Sequence, residues 1–147
     1  MLSLKKILLK ILNRLNELKG VGETQYSGPS AVSCTTGYYR QLAYLTLGSG
    51  TWIISGSLYA PYTNTTGIRR IFFTTADSGY DNTTTAPANY AVAGYAQCPV
   101  SGNYNVYLHT ATFHVTLSSS TTFRLIGFQN SGASANLTGR IYAVRIK

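Results

Sequence analysis

The groups in this chain that could do chemistry are few. Its carboxylates are Glu17, Glu23, Asp77 and Asp81. Glycoside hydrolysis needs two carboxylates facing each other across a cleft, and the nearest pair, Asp77 and Asp81, shares the polar run TADSGYDNTTT, which reads as a solvated turn. As a calcium loop that run lacks the regular spacing of oxygen ligands. His109 and His114 lie five apart in one strand-like run. Odd spacing on a regular strand sends them to opposite faces, and a bulge between them would reverse this. Zinc would need two further ligands, which only Cys34 and Cys98 could supply, so the histidines read as satisfied polar positions of a sheet. The two cysteines could form one disulfide, but their spacing does not demand it, and they read as buried free thiols. No G-x-S-x-G elbow marks a nucleophilic serine. The expectation is a protein that is not an enzyme and carries no metal and no cofactor.

Binding is the better-supported chemistry. Tyr59, Tyr62, Tyr80 and Tyr90 lie in or beside stretches rich in Asn, Thr and Gly. Tyrosine offers a flat apolar face and a hydroxyl at low entropic cost, which suits sugars and protein surfaces. The competing reading is that these tyrosines cover a sheet. The net charge of +8 divides evenly between the first 19 residues and the rest. No basic run is interleaved with stacking aromatics, so nucleic acid is not an expected partner. Asn64, Asn82 and Asn136 open glycosylation-like triplets, which read as turns in so Asn- and Thr-rich a chain.

Two kinds of element must position these groups. Met1–Lys19 carries Met1, Leu4, Leu8, Ile11, Leu15 and Leu18 at alternating spacings of three and four, a heptad seam with apolar a and d positions. It predicts a helix about 27 Å long. Ile7 and Leu12 widen the stripe beyond what two strands need, which favours three or more. Basic residues at Lys5, Lys6, Lys10 and Arg14 interrupt the apolar run, so neither a signal peptide nor a membrane span is expected. Self-association is the preferred role; lying on a membrane surface or docking into another protein's groove are the rivals.

Gly20–Ser30 reads as a linker. Strand-like segments follow around Ala31–Thr35, Arg40–Leu47, Thr51–Ala60, Ile68–Thr75, Tyr90–Gln97, Tyr104–Leu117, Thr122–Gln129 and Leu137–Ile146, separated by Gly, Asn, Ser and Pro clusters. About eight short strands without a second helix predict an all-β, antiparallel jelly-roll sandwich preceded by one N-terminal α-helix. Residues 31–147 form the expected domain, after the helix (1–19) and the linker (20–30). Trp52, Ile54 and Leu58 alternate with Ser55 and Ser57. The apolar phase of Tyr104–Leu117 changes near His109–Thr110, which predicts a bulge or a crossover between sheets. Thr122–Gln129 is apolar on both faces, so it must be covered twice, and a subunit interface would supply the second cover.

Three passages resemble the tumour-necrosis-factor-like (complement-type) jelly-roll domains found in phage structural proteins. They are Leu47-Gly-Ser-Gly-Thr-Trp-Ile-Ile-Ser-Gly-Ser57, Thr122-Phe-Arg-Leu-Ile-Gly-Phe-Gln-Asn-Ser-Gly132 and Gly139-Arg-Ile-Tyr-Ala-Val-Arg-Ile-Lys147. They stand in the family's order, and the resemblance covers residues 31–147. It implies a homotrimer around a three-fold axis, with Phe123, Leu125, Phe128, Tyr142 and Val144 as candidates for the core or the axis beside the helix seam. It also implies that ligands are taken by outer loops. The expected protein is a trimeric short fibre on the virion of a tailed phage, in contact with other virion proteins and binding host-envelope carbohydrate. A head fibre or capsid decoration docked through the basic helix, and a secreted complement-like ligand domain, are the alternatives.

Overall fold

The computed structural model describes residues 4–18, 20–61, 67–75, 93–100, 105–130, 132 and 134–147, without the side chains of 16–18, 29, 30, 67 and 93–100. One helix, α1 (Leu4–Leu18), precedes nine strands: β1 (Thr24–Cys34), β2 (Tyr38–Leu47), β3 (Gly50–Ala60), β4 (Gly67–Thr74), β5 (Ala93–Val100), β6 (Val106–His109), β7 (Phe113–Leu117), β8 (Thr121–Asn130) and β9 (Ala135–Arg145). They form two antiparallel sheets, ordered β1-β9-β3-β6, with β7 also on β3, and β2-β8-β4-β5. Strands adjacent in sequence alternate between the sheets at the start of the chain. That alternation makes the sandwich a jelly roll rather than a stack of hairpins.

Alternation sorts the inner faces. Leu47, Trp52, Ile54, Leu58, Ile71, Phe73, Phe123, Leu125, Leu137 and Ile141 meet between the sheets, all 0–1% exposed. Trp52 donates its indole N–H to the Gly48 carbonyl at 3.0 Å, which satisfies the one polar atom it carries inward. Leu42 packs so closely that a Cβ on Gly127 of the neighbouring strand would lie 2.6 Å from its Cδ1, and one on Gly139 of the facing sheet would collide with its Cβ. The core holds polar groups at one end, where Arg69 and Gln129 are wholly buried and paired in register.

Two expectations change and a third is narrowed. Thr24–Ser30 is not linker but the first half of β1, with Thr24 opposite Val144 and Ser27 opposite Ile141. Gly28 and Pro29 sit where the register shifts between Ser27 and Ser30. A bulge tolerates the missing proline N–H, and that is why turn-like residues occur inside a strand. The connection from helix to sandwich is thus Gly20–Glu23, where Gly20 and Gly22 have φ of 84° and 82° and Glu23 N–H donates to the Gly20 carbonyl at 3.0 Å.

The break in Tyr104–Leu117 is a bulge and not a crossover, because β6 and β7 both pair with β3. Ile54 faces Phe113 and Ser57 faces His109, so Thr110, Ala111 and Thr112 stand opposite Ser55 and Gly56. Thr110 fastens the extra residue: its N–H donates to the Gly56 carbonyl at 2.9 Å and its hydroxyl accepts from Gly56 N–H at 2.8 Å.

The second change concerns β8. Its second apolar face is covered by its own chain. Ile126, Phe72 and Tyr39 are buried together with Phe128 against them, on the outer face of the β2-β8-β4-β5 sheet. Tyr39 and Phe128 pack tilted at 34° with 4.6 Å between centroids, and the Arg70 guanidinium lies 5.3 Å from the Phe128 ring centroid. No partner subunit is needed to close that face.

Candidate functional site: the outer face of the β1-β9-β3-β6 sheet

Strand register arranges this face in rows. The row nearest the helix holds Thr24, Val144, Ile53 and His114. Next come Tyr26, Tyr142 and Ser55, then Arg140, Ser57 and His109, and last Thr138, Tyr59 and Tyr107. The helix joins at the first row, since Gly22 N–H donates to the Arg145 carbonyl at 2.7 Å. Tyr26 stacks on Tyr142 with centroids 6.5 Å apart and planes at 21°, and Tyr59 leans on Tyr107 at 5.0 Å. Between the two pairs runs a groove of about 430 Å³, with Ser57, His109, Thr138 and Arg140 among its lining.

This face is aromatic and apolar, and it is open. Tyr26 and Tyr107 are 68% and 66% exposed, and Tyr142, Ile53 and Val144 are more than a third exposed. Scattered apolar residues on a surface are ordinary, but a contiguous patch marks an interaction site. Apart from tyrosines, the ionisable groups on the rows are Arg140, His109 and His114. Arg140 directs one guanidinium nitrogen at the Tyr142 hydroxyl, 3.5 Å away. The one carboxylate with a described side chain, Glu23, lies at the helix junction, 3.7 Å from Arg145. The arrangement offers flat hydrophobic contact, hydroxyls, imidazoles and a guanidinium.

The residues singled out from the sequence fall in different places. Tyr59, Tyr142 and Val144 share this face. Phe123 and Leu125 lie in the chain's own core at 1% and 0% exposure, so they have no surface left for a trimer contact. Phe128 is on the opposite sheet, among Tyr39, Phe72 and Ile126. The seam residues Leu4, Leu8, Ile11 and Leu15 are each more than half exposed, and the Leu18 side chain is outside the described residues. Tyr62, Tyr80 and Tyr90 are also outside them, as are Asp77 and Asp81. Sequence reasoning missed Tyr26, because it sits in the stretch taken as linker. It also missed Tyr107, whose position between Val106 and Leu108 gave the signal: inward neighbours force it outward.

The possible zinc ligands are not brought together. The bulge does put His109 and His114 on one face, opposite Ser57 and Ile53, but Cys34 is buried in the core. Among the described residues no group of three metal-binding side chains occurs. The Cys34 thiol lies 3.4 Å from the Tyr38 carbonyl, to which it donates. Burial pushes its pKa above the usual 9.0, while a hydrogen bond with the Gln129 backbone and the charge of Arg40 pull the other way. This is a protonated, inert thiol.

No family model matches the sequence, and no curated protein matches it. Solved structures do share the fold. One is a chain in the structure of infectious bursal disease virus, Gx strain, with a TM-score of 0.55 and 10% identity over 84% of this chain and 33% of that one. Another is the globular domain of zebrafish complement 1qA protein, with a TM-score of 0.51 and 11% identity over 83% of this chain and 96% of that one. The tumour necrosis factor Eiger from S. frugiperda aligns at a TM-score of 0.46 and 9% identity. This chain thus spans a third of the viral chain's length and nearly the whole complement domain. The strand order, the two-sheet sandwich and the likeness to the complement domain show that the β domain has a jelly-roll fold.

Proposed function

We propose that this chain is a homotrimeric structural and adhesive virion protein, not an enzyme, assembled through α1 and the tyrosine-rich face of the β1-β9-β3-β6 sheet. The observation that carries the reading is a pair of uncovered apolar surfaces, one on the helix and one on the sheet. The helix stripe of Leu4, Leu8, Ile11 and Leu15 is exposed along its length. The chain after the helix joins the sandwich beside the row of Val144 and Ile53, which the tyrosine rows continue. Two adjacent surfaces of like character are satisfied at once by further copies of the same chain. A closed ring of three suits the wide helix stripe. A helix of this length is marginal alone, so the face would provide much of the adhesion and the helix the alignment.

The adhesive role rests on the tyrosines of the 62–66 and 76–92 connections, whose Asn- and Thr-rich surroundings suit cell-envelope carbohydrate. Three such sites on one trimer would raise avidity without any new contact. The likeness to a chain of a virus structure supports placement on a virion. The exposed basic residues Lys5, Lys6, Lys10 and Arg14 favour a second reading, a capsid decoration docked through the helix. Sedimentation of the full chain tests assembly, for which trimers are expected and monomers at every concentration would end the reading. A glycan array probed with the assembled protein tests adhesion. Binding to glycans supports a short tail fibre, while silence on the array with binding to capsids would favour decoration.

A further inference from the structure

Three strands of a single chain build the groove on this face. β3 runs along its middle, with β9 on one side and β6 on the other. Register fixes which side chains stand together. Ser57 lies between Arg140 and His109, and one row further from the helix junction Tyr59 lies between Thr138 and Tyr107. On the near side of the polar row stand Tyr26 and Tyr142. With strands about 4.8 Å apart, that polar row is about 10 Å wide. The sequence across the groove is therefore aromatic, polar, aromatic. Its volume of about 430 Å³ is that of a small-ligand site. Arg140, His109 and Tyr107 are exposed, so a ligand can reach them from solvent.

We propose that this groove binds an acidic saccharide, a pyranose unit that carries a carboxylate. Such a sugar is amphipathic in the same pattern as the groove: its ring C–H faces are apolar and its hydroxyls project from the edge. The tilted Tyr59–Tyr107 pair, with centroids 5.0 Å apart, offers rings against which a C–H face can lie. The hydroxyls of Ser57 and Thr138 both donate and accept, and the His109 imidazole donates an N–H. Arg140 selects the charge. A guanidinium has five donors and no acceptor, in a fork that matches a carboxylate. Arg140 lines the groove, and its contact with the Tyr142 hydroxyl at 3.5 Å sets it beside the aromatic wall.

A proline-rich peptide is the rival occupant of a tyrosine-lined groove. Its proline units offer carbonyls alone to the polar row and no anion to Arg140, so a carboxylated sugar matches more of the groups present. The site is additional to the 62–66 and 76–92 connections, where the reading above places carbohydrate. It needs no partner copy, because every group named belongs to one chain. Assembly through the row of Val144 and Ile53 can coexist with it, since most of the groove's groups belong to the two rows farthest from the helix junction.

The test is isothermal titration of the full chain with uronic-acid and sialic-acid oligosaccharides, each beside its neutral counterpart, and with a polyproline peptide. At least one acidic saccharide should bind more tightly than its neutral counterpart, and its binding should weaken as salt rises. Arg140→Gln should weaken the acidic sugar about tenfold or more and leave the weaker binding of the neutral one unchanged. Tyr107→Ala should weaken both about threefold or more. Circular dichroism checks the fold of each unliganded variant, and if Tyr107→Ala unfolds, the exposed Arg140→Gln decides alone. Equal affinity for acidic and neutral sugars, or binding of the peptide only, overturns the proposal. Acidic binding that survives Arg140→Gln also overturns it and leaves the adhesive reading at the connections standing. Sedimentation of the same samples reads assembly separately. Monomers that bind the sugar in the expected pattern uphold the groove and end the assembly reading, and trimers that bind no acidic sugar do the reverse.

Discussion

The two outer faces of this sandwich are built from similar residues and behave oppositely. On the β2-β8-β4-β5 sheet, Tyr39, Phe72, Ile126 and Phe128 gather into a cluster that the chain closes for itself, with Phe72 at 1% and Ile126 at 0% exposure. On the β1-β9-β3-β6 sheet, Tyr26, Tyr59, Tyr107 and Tyr142 form two pairs flanking an open groove. Aromatic content therefore does not distinguish a core from an interface. What differs is the company of each ring. Phe72 and Ile126 are cross-strand partners, as are Tyr39 and Phe128, so each ring covers its neighbour. The tyrosines of the other face are cross-strand partners too, Tyr26 with Tyr142 and Tyr59 with Tyr107, but Ser55, Ser57 and Arg140 separate one pair from the other, and among the described residues no ring joins them as Phe72 joins Tyr39.

The comparison can be broken most severely from the closed side. Ile126→Ala should destabilise the fold by about 2–5 kcal/mol, as should Leu125→Ala on the inner face of the same strand; denaturant melts check both. Equal costs would establish that the outer cluster is a second core, and a cost under about 1 kcal/mol for Ile126→Ala would reduce it to a surface patch.

The open side should respond in association and not in folding. Ile53→Lys places like charges on the proposed contact in every copy and should weaken assembly by tenfold or more, about 1.4 kcal/mol, with little change in the melt of the dissociated chain. Tyr44→Lys is the matched control. Tyr44 is 60% exposed on the other sheet, and its replacement should leave the sedimentation profile unchanged. If the control dissociates the assembly and Ile53→Lys does not, the two faces have been assigned the wrong way round.

A smaller effect is expected at the bulge. Thr110→Val removes the acceptor for Gly56 N–H and should cost about 1–2 kcal/mol, seen in the melt and as faster amide exchange at Gly56. The smallest lies between the faces. The folded chain holds the Cys34 proton more tightly than the unfolded chain does. Its contribution is therefore full below the usual thiol value of 9.0 and is lost as the pH rises beyond it. Cys34→Ala should remove that part of the alkaline loss, read as the difference between the two melts above pH 9.0. The native thiol should also resist a disulfide reagent until the chain is denatured.

Much of the fold was legible because inward and outward residues alternate along most strands. Trp52, Ile54 and Leu58 mark the inner face of β3, and the phase change near His109 marks the bulge. The first half of β1 was not legible, since Gly28 and Pro29 look like a turn unless the partner strand is known. The site was only partly legible. Tyrosine is equally at home on a closed sheet, an interface or a sugar site, and which one it serves depends on cross-strand neighbours over a hundred residues away. Tyr26 beside Tyr142 is such a pair. Nor does spacing foretell that Arg69 lies wholly inside the sandwich. A charged side chain there depends on contacts from several strands, which no local pattern encodes.

The junction between helix and sandwich has a mechanical consequence. Gly22 and Glu23 are tied to Arg145 by two backbone hydrogen bonds of 2.7 and 2.9 Å and by the ion pair between the Glu23 and Arg145 side chains. The chain then runs straight into β1, whose partner along almost its whole length is β9. A pull on the helix, with the far end of the jelly roll held by a surface, acts along these strands and not across them. The load is then shared by the whole ladder in shear, so its bonds must fail together and cannot be unzipped singly. The molecule would be strong in that direction and weak in the perpendicular one.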